Sequence, residues 1–254
     1  RLVEALAKPN AWIFNFTNPA GLVAQVLHNA GIEKVVGICD SANKAQLEVS
    51  STLDIPLHRL QHEVYGLNHL SWTRAVYIDA DENNQNGEEV LQSLLADDTF
   101  IQRTHMNIFS EGLRNWQAAF MNEYLHYYYY RDEVTQSLIA KDESRGEQIL
   151  RLTTDMLNQM SSAKSIDEQL QTYHTVMNAR NDSYMAHAGE KSTDTKELHD
   201  DEGYAGVALS CVEAIACDKH LYTGLNIPNN GTINGLNDDD IVEVGCHVDG
   251  NGIR

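Results

Sequence analysis

The residues best suited to chemistry stand at the ends of apolar runs. Cys39-Asp40 closes the run 34–39 (KVVGIC). A thiolate there can ligate a metal, and the neighbouring carboxyl, if partly buried, can act as a general acid. The plainer reading is a small buried cysteine followed by a helix-capping aspartate. His69, in Asn68-His69, comes from another stretch of chain and can share one metal with Cys39, leaving positions open for substrate oxygens. His58 and His62 form an i, i+4 pair nearby and read as solvated or linker histidines. Asn18-Pro19 follows the apolar run 11–16 (AWIFNF). Ligands of open α/β sheets sit beyond the carboxyl ends of strands, which suits Asn18 to bond a sugar or ribose hydroxyl, although Asn-Pro-x-Gly is also good turn chemistry. In the stretch 124–130 (YLHYYYY) consecutive tyrosines point all around a helix, so some belong to a core or an interface. A tyrosine beside a cation loses its proton more easily and can work as a base. Arg145 follows a helix break and can grip an anion bidentately, or pair with Glu147.

The elements that must carry these residues follow from periodicity. Runs 11–16 and 34–39 read as buried parallel strands. Between them, 22–30 has helical spacing and stops at Gly31, which makes a βαβ unit. Residues 1–7 (RLVEALA) read as amphipathic helix rather than a signal peptide. Further on, 44–58 reads as helix and linker, 73–80 as a strand, and 81–87 as a hairpin turn of the Asn-Gly kind. Residues 88–96 are predicted helical, and 109–184 mainly helical with a break near 141–144. A polar, mobile segment is expected over 186–202. An apolar helix follows at 206–217, then a strand at 221–227, a turn at 228–231 and a last strand within 238–246. A parallel start that passes into antiparallel hairpins is an α/β sheet joined to an α+β part.

Composition narrows the partners. Of 254 residues, 42% are hydrophobic and 22% charged, with a formal net charge of −19. That is enough apolar material for a sizeable core. The acidic balance repels nucleic-acid phosphates and anionic membrane surfaces, and no Lys/Arg block opposes it, so neither nucleic acid nor membrane is an expected partner. Cys39, Cys211, Cys217 and Cys246 form no CxxC pair, which suits reduced thiols in the cytoplasm. No run is long and apolar enough to span a bilayer.

Taken in order, NFTNPAGLV, VVGICD, YGLNHLSW, NEYLHYYYYRDEV, SRGEQIL and LNIPNNGTINGLNDDDIVEV resemble successive landmarks of glycoside hydrolase family 4, nearest to its 6-phospho-β-glucosidases. The resemblance runs from Ala11 to Val248. It implies the C-terminal part of a Rossmann-like, lactate/malate dehydrogenase-like sheet over residues 1–40, joined to an incomplete mixed α+β substrate domain over 41–254. It implies NAD and manganese as cofactors, and a phosphorylated disaccharide or glycoside as substrate. The family lies outside the two-carboxylate scheme of most glycosidases. Its mechanism oxidises the sugar at C3, removes the acidified C2 proton with a tyrosine, eliminates the leaving group and then adds water.

On this resemblance Cys39 and His69 match the metal ligands, Asp40 the general acid and Tyr124 the base. Asn18, Asn68 and Arg145 match substrate contacts. The glycine-rich nucleotide turn is expected upstream of Arg1 and further helices beyond the last strand, so the chain reads as a central fragment without turnover on its own. Its tyrosine run and long helices suit a homodimer or homotetramer. Three stretches depart from the family pattern. Cys39-Asp40-Ser41-Ala42 stands for CDxP or CNxP, Met121-Asn122-Glu123 stands where a proline usually precedes the YL motif, and Val244-Gly245-Cys246 stands for VPC. Two other readings stay beside the glycosidase: an NAD-dependent hydroxy-acid or sugar dehydrogenase, and a non-catalytic binding or dimerisation unit.

Overall fold

The computed structural model describes residues 5–8, 11–81, 86–183 and 204–254. The start of the helix predicted over 1–7, the centre of the turn at 81–87 and the polar segment 186–202 lie outside the described residues. The chain forms two compact units, Arg1–Leu125 with Thr195–Arg254, and His126–Asp194.

The first unit opens as the apolar runs require. Strand β1 (Ile13–Asn15), helix α1 (Ala20–Asn29) and strand β2 (Val35–Gly37) make the βαβ unit, with Ile13 opposite Val35 in parallel register. The sheet continues with β7 (Leu221–Pro228), β8 (Ile241–Asp249) and β9 (Gly252–Ile253) in the order β1-β2-β7-β8-β9, antiparallel from β2 onward. Adjacent strand residues point to opposite faces, and β2 is apolar on both. Val35 packs with Ala24 of α1 and Ile241. Val36 and Ile38 pack with Leu225, Val242, Val244 and with Cys211 and Ala214 of helix α10 (Tyr204–Cys217). The sheet is thus covered by α1 on one face and α10 on the other. Cys211 and Cys246 serve as small apolar residues in that core.

A 3-10 turn (Asp40–Asn43) and helix α2 (Lys44–Leu53) lead to a second sheet, in which β3 (Leu60–Leu67) and β4 (Leu70–Ile78) form an antiparallel hairpin. Two short strands add to β4: β5 (Glu88–Glu89), and β6 (Phe120–Met121), which pairs Met121 with Trp72. Helices α3 (Leu91–Leu95), α4 (Asp98–Arg103) and α5 (Glu111–Gln117) lie between them in the chain. Two expectations are corrected here. The helix predicted over 88–96 starts only at Leu91, because Glu89 is paired to Tyr77 and its carboxylate accepts the amides of Leu91 (2.8 Å) and Gln92 (3.3 Å). Those amides open α3 and need an acceptor. The mainly helical stretch 109–184 is interrupted by β6, since the edge of β4 offers backbone partners at Trp72 and Thr73.

His62 and His105 are buried, so the reading of His62 as a solvated linker residue does not hold. Burial pushes both imidazoles down to about 4; Lys44 adds to the effect at His105, while Glu123 and the Met121 carbonyl oppose it. His105 Nε2 lies 2.7 Å from the Met121 carbonyl and so fixes β6. Neutral in the fold, these rings accept protons at an ordinary pKa near 6.5 once unfolded. Stability is therefore full above that value and falls as pH drops from about 6.5 to about 4, by an order of a few kcal/mol for the pair together. The midpoint of urea unfolding should drop across that window, and a flat midpoint between pH 7 and pH 5 contradicts the assignment.

The second unit is helical, with α6 (Leu125–Tyr129) at its boundary, then α7 (Arg131–Ile139), α8 (Arg145–Ser162) and α9 (Ile166–Asp182). Ser144 and Glu147 form a capping box that starts α8, and Ser165 caps α9. Hydroxyl and carboxylate here satisfy amides that no preceding turn can reach. Of the tyrosine run, Tyr127 and Tyr128 are exposed. Among the described residues, no helix is long and apolar enough to cross a membrane.

Candidate active site

The β3–β4 hairpin closes at Leu67 opposite Leu70, which leaves Asn68-His69 as its tip. His69 sits at φ 65, in the left-handed region that non-glycine residues rarely adopt. The tip is held from two sides. Asn68 Nδ2 donates to Glu243 Oε2 at 3.2 Å, and Asn68 Oδ1 accepts the Gly21 amide at 3.4 Å. Position 21 is tight, since a Cβ there would lie 3.0 Å from Asn68 Cβ and the tip would have to give way. The same first turn of α1 follows Asn18, which is exposed and accepts the Ala20 amide at 3.3 Å. The peptide between Asn18 and Pro19 is cis.

His69 faces Tyr124. Their rings stack with centroids 3.9 Å apart and planes 22° apart. Nε2 of His69 is buried with no hydrogen-bond partner. Burial holds this imidazole below its ordinary pKa, opposed by the charges of Glu123 and Asp40. A partnerless ring nitrogen on such an imidazole can ligate a cation in the tautomer that leaves it without a proton.

Cys39 ends the β2 run and is fully buried, with Sγ 3.0 Å from Ser41 Oγ. Burial pushes its thiol up to about 12, with a further push from Glu243. Asp40 is exposed and accepts the Ser41 amide at 2.9 Å, as a residue that starts a helical turn does. The expected cap is not made: Asp40 is the first residue of the 3-10 turn, Cys39 stands at the cap position, and no side-chain cap bond forms there.

Two buried polar residues join these parts. Asn122, just after β6, donates from Nδ2 to Ser41 Oγ (3.1 Å) and Ser71 Oγ (3.2 Å), and its Oδ1 accepts the Tyr124 amide at 3.0 Å. Glu243, on β8, accepts from Ser71 Oγ (2.6 Å), Asn226 Nδ2 (3.0 Å) and Asn68 Nδ2. Burial pushes the Glu243 carboxyl up, and its three donors only partly bring it back. Glu123 is buried too. Burial alone would raise it, but Lys44, 3.6 Å away, holds it below the usual carboxylate range.

Four residues tie Cys39 to Asn68 of the hairpin tip by contacts of 2.6–3.2 Å, running Cys39–Ser41–Asn122–Ser71–Glu243–Asn68. Arg145 belongs to the helical unit, where it donates to Gln148 Oε1 (2.5 Å), Ser183 Oγ (2.7 Å) and the Arg180 carbonyl (3.0 Å) rather than to Glu147. Beside the network a cleft of about 790 Å³ is lined by Asp40, Ser41, Lys44, Glu123 and Tyr222 among others.

Sequence reasoning passed over Ser41, Ser71, Asn122, Asn226 and Glu243. Two signals were available: a carboxylate inside the apolar strand pattern Ile-Val-Glu-Val, and a polar residue at a departure from the family pattern. The departure at Gly245 has its own cause. The Tyr222 hydroxyl donates to the His62 carbonyl at 2.7 Å, and a Cβ at position 245 would lie 2.1 Å from that hydroxyl.

Comparison with known proteins agrees in scope. The model for the family 4 glycosyl hydrolase C-terminal domain matches residues 64–254, and that for family 4 glycosyl hydrolase matches residues 1–55. A probable 6-phospho-β-glucosidase of Bacillus subtilis is 25% identical over 249 residues, which is 94% of this chain and 49% of that protein. The structure of the Thermotoga maritima 6-phospho-β-glucosidase with manganese, NAD+ and glucose-6-phosphate superposes with a TM-score of 0.70 at 21% identity, covering 96% of this chain and 51% of that one. A 6-phospho-α-glucosidase from gut microorganisms, in complex with NAD and Mn2+, gives a TM-score of 0.63 at 22% identity over 97% of this chain and 52% of that one. The chain spans about half the length of the curated relatives it matches.

Proposed function

This chain belongs to family 4 of the glycosyl hydrolases, and from that premise we propose that the protein hydrolyses 6-phospho-glucosides, β-linked ones by preference, using NAD and a divalent cation such as manganese. The observation that carries the reading is the stacking of His69 on Tyr124 with His69 Nε2 buried and partnerless. It supplies a cation ligand and a candidate proton acceptor in direct contact.

Among the described residues no group of three or more His, Cys, Asp or Glu side chains gathers as a metal cluster, and two residues offer donor atoms suited to the metal. Cys39 and His69 would hold it, with the remaining positions left to oxygen ligands from outside the chain. When bound, NAD would supply hydride acceptance and return at a sugar carbon, and the cation would polarise neighbouring sugar oxygens.

The chain's own residues do the rest. The Tyr124 phenolate takes the proton from sugar C2, with its ring held against His69 and its backbone amide held by Asn122. Asp40, exposed at the start of its turn, can reach a leaving-group oxygen and give it a proton. Asn18 orients sugar hydroxyls from the first turn of α1. Asn68 already uses its carbonyl on Gly21 and one amide hydrogen on Glu243, so it has one amide hydrogen left for a sugar. Arg145 is assigned a substrate contact by resemblance alone. The proposed partners extend to a second copy of the chain, as homodimer or homotetramer.

The test is release of aglycone from a chromogenic 6-phospho-β-glucoside by the intact protein. We expect turnover only with both NAD and manganese, and little with the unphosphorylated glucoside. NADH accumulation without aglycone release would instead support a dehydrogenase. Metal uptake by the Cys39 thiol, pushed up to about 12, must displace its proton. Affinity should then rise with pH by up to about tenfold per unit. Calorimetric titration in buffers of different ionisation enthalpy reads the proton released, and zero release would count against Cys39 as a ligand.

A further inference from the structure

Asn122 is buried, and its hydrogen bonds have only one consistent orientation. The Tyr124 amide can only donate, so the Asn122 oxygen must face it at 3.0 Å, and the NH2 group must face Ser41 and Ser71. Each serine oxygen accepts from Asn122, which turns the hydroxyl protons outward. Ser71 donates to Glu243 Oε1 at 2.6 Å. Ser41 lies 3.0 Å from Cys39 Sγ, and once Cys39 is a thiolate only Ser41 can be the donor. The stretch that holds Asn122 is one where the family pattern usually carries a proline, whose ring offers no hydrogen-bond donor.

We propose that Asn122 is a positioning residue for the metal-holding sulfur: it turns the Ser41 hydroxyl to donate to the Cys39 thiolate, and with its carbonyl it fixes the backbone that carries Tyr124. The inference rests on the reading of Cys39 as a metal ligand. A hydrogen bond to a ligating sulfur fixes its orientation and reduces the electron density it gives the cation.

The test uses cobalt(II) alone, titrated into the purified protein, with the thiolate-to-cobalt charge-transfer band as readout. The wild-type protein should show the band and Cys39→Ser should lose it. Ser41→Ala, which leaves the Asn122–Tyr124 contact in place, should shift the band to lower energy and weaken cobalt binding by about tenfold. Asn122→Ala should do the same, and the double variant should do no more than Ser41→Ala, because Asn122 acts through Ser41. If Asn122→Ala does not fold, Asn122→Asp keeps the volume and the acceptor for the Tyr124 amide but cannot donate, and should shift the band in the same direction. A wild-type band position and affinity in the folded Asn122 variant, or additive shifts in the double variant, overturn the proposal. A band that is absent from the wild-type protein, or that survives Cys39→Ser, instead overturns the metal reading on which it rests.

Discussion

Tyr124→Phe should lower kcat/KM for a 6-phospho-β-glucoside by about 10²–10⁴-fold, the range for loss of a positioned proton acceptor. The phenylalanine ring preserves the stack on His69, which lies at 3.9 Å, and the backbone contact to Asn122 is unaffected. Cobalt or manganese affinity should therefore stay near wild type while turnover collapses. A second readout follows from the step assigned to Tyr124. In deuterated water the wild-type enzyme should place deuterium at C2 of the released sugar, and the variant should not. Near-wild-type turnover in Tyr124→Phe would remove Tyr124 from the mechanism. Loss of both metal binding and turnover would make it a structural residue of the His69 environment instead.

Glu243→Ala should be the most destabilising single change in the network, by about 3–5 kcal/mol, because buried donors left without an acceptor each cost about 1–3 kcal/mol. The donors are Ser71, Asn226 and Asn68, and all but Asn68 are buried. A domain's total stability is about 5–15 kcal/mol, so the loss is a large share of the whole. Glu243→Gln keeps the volume and one acceptor oxygen and should lose clearly less. Urea unfolding of the two variants at neutral pH measures the difference. Equal losses for Ala and Gln would mean that volume, and not the acceptor set, is what matters. The Ala variant should also weaken metal binding even where it remains folded, since Asn68 then loses the partner that holds the His69 tip.

Much of the fold was legible in the chain. The run 34–39 announced a buried strand because β2 is apolar on both faces, the run 11–16 announced β1, which is a strand but only half-buried, and the spacing of 22–30 announced α1 between them. The strands near 73–80, 221–227 and 238–246 and the helix at 206–217 follow from the same periodicities. The short strands β5 and β6 were not legible. A strand of two residues has no period of its own, and β5 and β6 exist because β4 offers them backbone partners. His62 was misjudged for a related reason: its neighbours in sequence are polar, but Tyr222 from a distant strand packs against it.

At the site, the sequence by itself determined which residue types could carry the proposed chemistry. Cys39, Asp40, His69 and Tyr124 stand in motifs whose residue types already restrict what they can do, and the family follows from those motifs. Only the tertiary structure decided how they are held. It placed the His69 ring on Tyr124, buried the Cys39 sulfur, and left Asp40 at the surface. It also brought in Asn122 and Glu243, whose hydrogen bonds connect strands far apart in the chain. The reason is physical. A reactive group has a recognisable type and local spacing, whereas a buried hydrogen-bond junction is defined by the partners it meets across long sequence separations, and those partners exist only once the chain has folded.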